Sequence, residues 1–217
     1  VLVCSVEDKK YLERLHQVSN IDILLNGVDL ETFDVNEGHD YSINSTLLFT
    51  GNMDYAPNVD AVLYFVKELW PSIKNNNPSV KLVIAGQRPV EEILKLQSSR
   101  IEITGFVPDI SDLYRSSSIL IAPLRFGAGT QNKVLEAMAM GVPVVCTNIG
   151  FAGLQIKSGD GVIMAKEFND FIHQVNQLLS DVEQRRQVGE KGLTIAHQRF
   201  SWDSIADQLE FYVKNIC

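Results

Sequence analysis

Apolar and polar positions alternate in blocks along most of the chain. Short, largely apolar runs occur at residues 1–4, 21–25, 46–50, 80–85, 101–104, 119–122, 142–146 and 161–164. Continuous Val/Ile/Leu runs of this length, without in–out alternation, are expected of parallel strands covered on both faces. Amphipathic segments at 58–74, 90–98, 110–115 and 131–140 have helical spacing. Strand and helix in strict alternation predict βαβ units, and so an α/β fold with a doubly wound parallel sheet. After residue 164 the pattern turns wholly helical, at 168–179, 181–197 and 201–215, with Ser201 and Asp203 as candidate caps of the last helix.

These blocks divide the chain. Residues 1–33 read as a leading β-α-β piece. Residues 34–45 are polar, hold Asn36, Gly38 and His39, and read as a linker. Residues 46–198 form a central α/β domain and 199–217 a terminal helix. The opening run, Val1-Leu2-Val3-Cys4, reads as a strand with no signal-peptide pattern before it.

Composition narrows the partners. The chain has 217 residues, 45% of them hydrophobic, and a formal net charge of -8. No dense Lys/Arg stripe interrupts that acidity, which argues against a nucleic-acid partner. The longest apolar run is too short to span a bilayer. Cys4, Cys146 and Cys217 lie far apart and form no metal-spaced pair. Unpaired cysteines point to a reducing compartment, the cytoplasm.

In an open parallel sheet, ligands sit beyond the carboxyl ends of the strands. Three loops there carry glycine: Thr50-Gly51-Asn52-Met53, Ala85-Gly86-Gln87-Arg88-Pro89 and Arg125-Phe126-Gly127-Ala128-Gly129-Thr130. In the third, Gly127 and Gly129 allow close backbone approach, and Thr130 is placed to cap the helix that follows. A helix N-terminus with unpaired N–H groups suits a diphosphate; a ligand-free tight turn is the bland alternative. That helix is apolar nearly all round, through Val134, Leu135, Ala137, Met138, Ala139 and Met140. Its Glu136 needs a partner, because an unpaired buried charge is strongly disfavoured. Two readings stay open. Glu136 and Lys133, three apart, form an ion pair on one face; or Glu136 accepts from a sugar diol while Lys133 meets phosphate.

Other motifs are missing. There is no G-x-G-x-x-G after a strand and no G-x-x-x-x-G-K-[ST] loop, and the four histidines are scattered.

Several strings then fall into a known order: Leu25-Asn26-Gly27-Val28-Asp29, Phe49-Thr50-Gly51-Asn52-Met53, Val83-Ile84-Ala85-Gly86 and Thr104-Gly105-Phe106-Val107-Pro108-Asp109. They are followed by Ala122-Pro123-Leu124-Arg125 with the glycine loop, Lys133-Val134-Leu135-Glu136-Ala137-Met138-Ala139 and Gly141-Val142-Pro143-Val144-Val145. Together they resemble retaining glycosyltransferases of the GT-B fold, family 4, over nearly the whole chain.

The resemblance implies a Rossmann-like half that binds a nucleotide-diphosphate-sugar, UDP- or GDP-linked, without metal or other cofactor. Glu136 resembles the carboxylate on the ribose hydroxyls. Gly129 and Thr130 resemble the diphosphate contacts, with Gly51, Asn52 and Gly127 also at the donor. Lys133 and Arg125 would supply charge to the leaving group, and Gly105, Phe106 and Val107 resemble the loop that reads the base edge.

Two departures stand out. Ala128 replaces the first of two glutamates usually separated by seven intervening residues, and Asn52 replaces a common arginine. They resemble a polysaccharide-related branch. Residues 1–33 resemble only the tail of the acceptor domain, and the terminal helix resembles the segment that crosses back to it. The resemblance thus implies a saccharide or lipid-linked acceptor held elsewhere, work in the cytoplasm or at the inner membrane face, and self-association through faces left uncovered. The alternatives are a nucleotide-binding module without transfer activity and a GT-B epimerase, for which no acid/base groups are found.

Overall fold

The computed structural model describes residues 1–16, 20–35, 38–43, 45–127 and 129–216. Asn36, Ala128 and Cys217 lie outside the described residues, as does part of the 34–45 linker.

The leading piece is β1 (Leu2–Val3), α1 (Val6–His16) and β2 (Asp22–Ile23). The two strands pair in parallel, Leu2 against Asp22 and Val3 against Ile23. Ser5 opens α1 by accepting from Asp8 N at 3.0 Å, while its hydroxyl donates to the Asp8 carboxylate at 2.6 Å.

Six parallel strands form the main sheet: β3 (Thr46–Thr50), β4 (Lys81–Ala85), β5 (Ile101–Gly105), β6 (Ile119–Ala122), β7 (Val144–Cys146) and β8 (Val162–Met164). Their order is β5-β4-β3-β6-β7-β8. The expected doubly wound α/β architecture is therefore present. Winding reverses between β3 and β6, the point where such sheets open a crevice for ligands.

Both faces of the sheet are covered, which is why the strands read as solid apolar runs. Leu47, Phe49, Leu82, Ile84, Ile119 and Ile121 pack on one side, with Phe65, Trp70, Ile73 and Phe171. Leu48, Val83, Leu120 and Ala122 face the other, with Tyr114, Val134, Leu135, Met138, Phe200 and Ile205.

Helix extents differ from the sequence expectation in three places. The segment expected at 58–74 is α2 (Ala56–Tyr64), a π-helical stretch (Phe65–Leu69) and α3 (Trp70–Asn76). Pro71 has no N–H to continue an α ladder, and Trp70 N donates to Phe65 O, five residues back. The segment expected at 90–98 shrinks to α4 (Glu91–Leu94). Beyond it, Ser98 N donates to Ile101 O at 3.0 Å and Gln97 Oε1 accepts from Ile103 N at 2.8 Å, a turn feeding β5. A short α7 (Asn148–Phe151) was not expected.

The rest follows the reading: α5 (Ser111–Arg115), α6 (Asn132–Ala139), α8 (Phe168–Ser180), α9 (Val182–Ile195) with a π-helical end (Ala196–Phe200), and α10 (Trp202–Ile216). Ser201 does cap α10, accepting from Ser204 N at 3.1 Å. The linker is pinned to this helical end: fully buried Arg185 donates to Tyr41 O at 2.9 Å and to Leu179 O at 2.9 Å. The terminal helix returns to the leading piece, where Tyr212 Oη donates to Ile23 O at 3.3 Å.

Candidate functional site

A cleft of about 490 Å³ opens at the carboxyl ends of β3, β4 and β5 and beside α6. Thr50, Gly51, Asn52 and Tyr55 line it from the loop after β3. Gly86 and Gln87 come from the loop after β4, Phe106, Val107 and Ile110 from that after β5, and Thr130 to Lys133 with Glu136 from the start of α6.

The back wall is backbone. Gly51 N donates to Ala85 O at 3.0 Å, and Gly86 N to Gly105 O at 3.0 Å. A Cβ on Gly86, whose φ is +147°, would stand 1.6 Å from Gly51 O. No side chain fits between these loops, so they close against each other and leave the space in front free.

Helix α6 begins at Asn132, with Gln131 as its cap residue and, among the described residues, no side chain capping its first N–H groups. This corrects the expectation for Thr130. Its hydroxyl donates instead to Cys4 O at 3.4 Å, tying the glycine loop to the leading piece. The N–H groups that a Thr cap would have filled are left for the cleft.

Lys133 and Glu136 do not pair. Lys133 is only 7% exposed; its Nζ donates to Asn58 Oδ1 at 2.9 Å and stands 5.0 Å from the centre of the Phe49 ring. Burial lowers its pKa to about 8. Among the described residues no carboxylate lies within ion-pair distance of it. Glu136 turns to Tyr114, which donates to Oε2 at 2.6 Å. Burial raises the Glu136 pKa, opposed by the Tyr114 bond and the charge of Lys133. Three residues along a helix share a face, but each side chain here found a closer partner on another element.

The other expected site residues divide. Gly51, Asn52, Phe106, Val107, Thr130, Lys133 and Glu136 line the cleft. Phe106 is 72% exposed, an apolar surface presented to it. Gly105 sits just behind, at φ +66°. Gly127 and Gly129, at φ +141° and +75°, shape the loop without lining the cleft. Arg125 is not brought there. Its Nε donates to Asp60 Oδ2 at 2.9 Å and its Cζ lies 4.7 Å over the Tyr64 ring. It faces a separate cavity of about 200 Å³ with Thr147, Asn148 and Lys166.

Sequence reasoning missed Tyr114 and Asn58. Tyr114 lies on a five-residue helix and meets Glu136 only in the folded chain, 22 positions on. Asn58 lies 75 positions before Lys133. No local spacing signals either contact.

The family profile "Glycosyl transferases group 1" matches residues 44–181, most of the six-stranded unit and all of the cleft. The chain belongs to this family. An uncharacterized glycosyltransferase of Methanocaldococcus jannaschii is 25% identical over 87% of this chain and 52% of its own length. Lipopolysaccharide 1,2-N-acetylglucosaminetransferase of Salmonella typhimurium is 24% identical over 99% of the chain and 62% of its own length. Anabaena HepE, solved in complex with UDP-glucose, superposes with TM-score 0.79 at 17% identity, covering 99% of this chain and 63% of that one. The chain thus spans about half to three fifths of these proteins, and the structural likeness is one of fold.

Proposed function

We propose that this chain is the donor-binding part of a retaining, family 4 glycosyltransferase. It would hold a UDP- or GDP-sugar whose glycosyl group passes to a saccharide or lipid-linked acceptor, in surface or exopolysaccharide assembly. One observation carries the reading: Lys133, a buried cation with no carboxylate within ion-pair distance among the described residues, stands in the wall of a cleft that also presents the uncapped start of α6. A buried cation without a direct ion pair is unfavourable in a protein that never meets an anion there.

As the bond between sugar and diphosphate breaks, negative charge grows on the leaving phosphate. In this reading Lys133 and the α6 N–H groups stabilise it. Glu136 accepts from the ribose hydroxyls, and Phe106 with the Val107 backbone borders the base. Because protein groups meet the diphosphate charge, binding needs no divalent cation. Arg125 enters this reading only by leaving Asp60. The Salmonella relative's name supports a polysaccharide role, and the protein would work in the cytoplasm or at the inner membrane face; no described helix is long and apolar enough to cross a membrane.

Calorimetry with UDP, UMP, uridine and pyrophosphate, and the guanosine series beside it, tests the reading. The diphosphate of one series should bind more tightly than its monophosphate, nucleoside or pyrophosphate. Equal binding of pyrophosphate and nucleoside diphosphate would contradict it. Retention is tested by proton NMR of the product formed when this chain, joined to an acceptor-binding half, is given an acceptor: the anomer should match that of the donor.

A further inference from the structure

Tyr114 is fully buried on α5, and its hydroxyl bonds two residues that line the cleft, Thr50 and Glu136. It lies 2.6 Å from Glu136 Oε2 and 2.8 Å from Thr50 Oγ1, with the Lys133 carbonyl oxygen further off at 3.4 Å. A phenol has one proton to give, and an ionised carboxylate is the strongest acceptor of the three. The Tyr114 proton therefore goes to Glu136, and the Thr50 hydroxyl donates to the Tyr114 oxygen. This chain of bonds joins β3, α5 and α6 beneath the cleft. Among the described residues no donor reaches Oε1 of Glu136, which keeps its lone pairs for the cleft.

We infer that Tyr114 is the positioning residue for nucleoside recognition: by fixing Oε2 of Glu136 it presents Oε1 to the ribose hydroxyls, and so makes the cleft prefer ribonucleoside over 2′-deoxyribonucleoside diphosphates. The inference rests on the proposed donor reading and adds to it a residue and a selectivity. Tyr114 does two things for Glu136. Its donated hydrogen bond favours the ionised carboxylate against burial, and it selects one orientation of the group. The titratable groups that act on Glu136 are Tyr114 from α5 and Lys133 from its own helix. Burial holds the Tyr114 hydroxyl protonated well above its ordinary range, and Lys133 titrates near pH 8. The ligand's terminal phosphate also titrates at about pH 6, alike in the intact chain and in a variant, so a difference between their binding profiles below pH 7 belongs to Glu136.

The test is calorimetric titration of UDP against 2′-deoxy-UDP, and GDP against 2′-deoxy-GDP, between pH 5.5 and 7.5. The intact chain should prefer the ribose form by about tenfold, the value of one charged hydrogen bond. In Tyr114→Phe the preference should fall to about twofold or less, the ribose form losing more affinity than the 2′-deoxy form, which keeps only its 3′-hydroxyl. Affinity for the ribose form should then decline more steeply than in the intact chain as pH falls from 7.5 to 5.5, a difference that mere loosening of the core would not produce. Thr50→Val should shift both readouts the same way by less, and it carries the test if circular dichroism shows Tyr114→Phe unfolded. A variant that keeps the ribose preference and the intact chain's pH profile overturns the inference. So does an intact chain that binds both sugar forms equally, which leaves the diphosphate reading standing. An intact chain that binds neither nucleotide overturns both.

Discussion

Lys133 Nζ donates to Asn58 Oδ1 at 2.9 Å, and that neutral amide is the one hydrogen-bond partner the described residues offer a nearly buried ammonium. The arrangement favours an incoming anion and disfavours the empty protein. Lys133→Met, which keeps the length of the side chain and removes its charge, should therefore move stability and binding in opposite directions. Without ligand the melting temperature should rise, by about 2–4 °C for each kcal/mol of desolvation recovered. Affinity for UDP or GDP should drop about tenfold or more. Thermal melts and titrations on the same preparations check both.

The charge on Lys133 also sets a pH limit. Its pKa is depressed to about 8, so it is charged below that value and neutral above it. Diphosphate affinity should hold from pH 6.5 to 7.5 and fall as pH rises through 8 and beyond. Lys133→Met should show no such fall. A wild-type profile flat to pH 9.5 would place the diphosphate elsewhere.

The wall of the cleft makes a steric prediction. Gly86→Ala puts a Cβ 1.6 Å from the Gly51 carbonyl oxygen, a backbone atom with no room to retreat. It should cost about 3 kcal/mol or more, seen as a large loss of denaturation midpoint or a failure to fold. Gly105→Ala meets nothing within 4 Å and pays only for its φ of +66°. That should cost about 1–2 kcal/mol. Equal losses for the two would show that backbone conformation, rather than the contact between loops, governs this wall.

The strands were legible because parallel strands sandwiched between helices carry apolar residues at every position, as Leu47, Leu48 and Phe49 do. The glycine loops and Glu136 were legible because their backbone and charge demands are local. What was not legible depends on distant partners. Arg125 follows β6 beside the glycine loop in sequence, but Asp60 and Tyr64, some sixty positions earlier, draw it away from the cleft. Thr130 has the identity of a cap, yet the leading piece supplies Cys4 O as a competing acceptor. The division of 58–74 turns on Pro71, one missing donor inside an otherwise regular helical pattern.

His39, packed edge-on to Tyr41 in the linker, should make the fold acid-sensitive. Burial lowers its pKa from 6.5 to about 4. Unfolding frees it to take a proton that the folded form resists. Its contribution to stability is therefore complete above about pH 6.5 and is lost as pH falls from there toward 4. Urea midpoints measured over that range should fall, and His39→Phe should flatten the slope. An unchanged slope in the variant would assign the acid sensitivity to other groups.

Self-association is expected through the terminal helix. Trp202, Leu209 and Val213 on α10 are 55%, 41% and 55% exposed, and Tyr11 and Leu15 on α1 are 54% and 51% exposed. Apolar surface of this kind favours burial against a second surface. Light scattering should show mass rising with concentration, and Leu209→Glu with Val213→Lys should hold the chain monomeric. A monomer at all concentrations would mean these residues tolerate water as they stand.

The measurement that bears most directly on the account is side-by-side calorimetric titration of UDP, GDP, ADP and dTDP into the wild-type chain and Glu136→Ala, each with and without EDTA. The account predicts that at least one of the four binds the wild type, that EDTA leaves its affinity unchanged, and that Glu136→Ala weakens it about tenfold or more with the fold intact. Binding of equal strength in the folded variant, or binding that collapses on chelation, would contradict it.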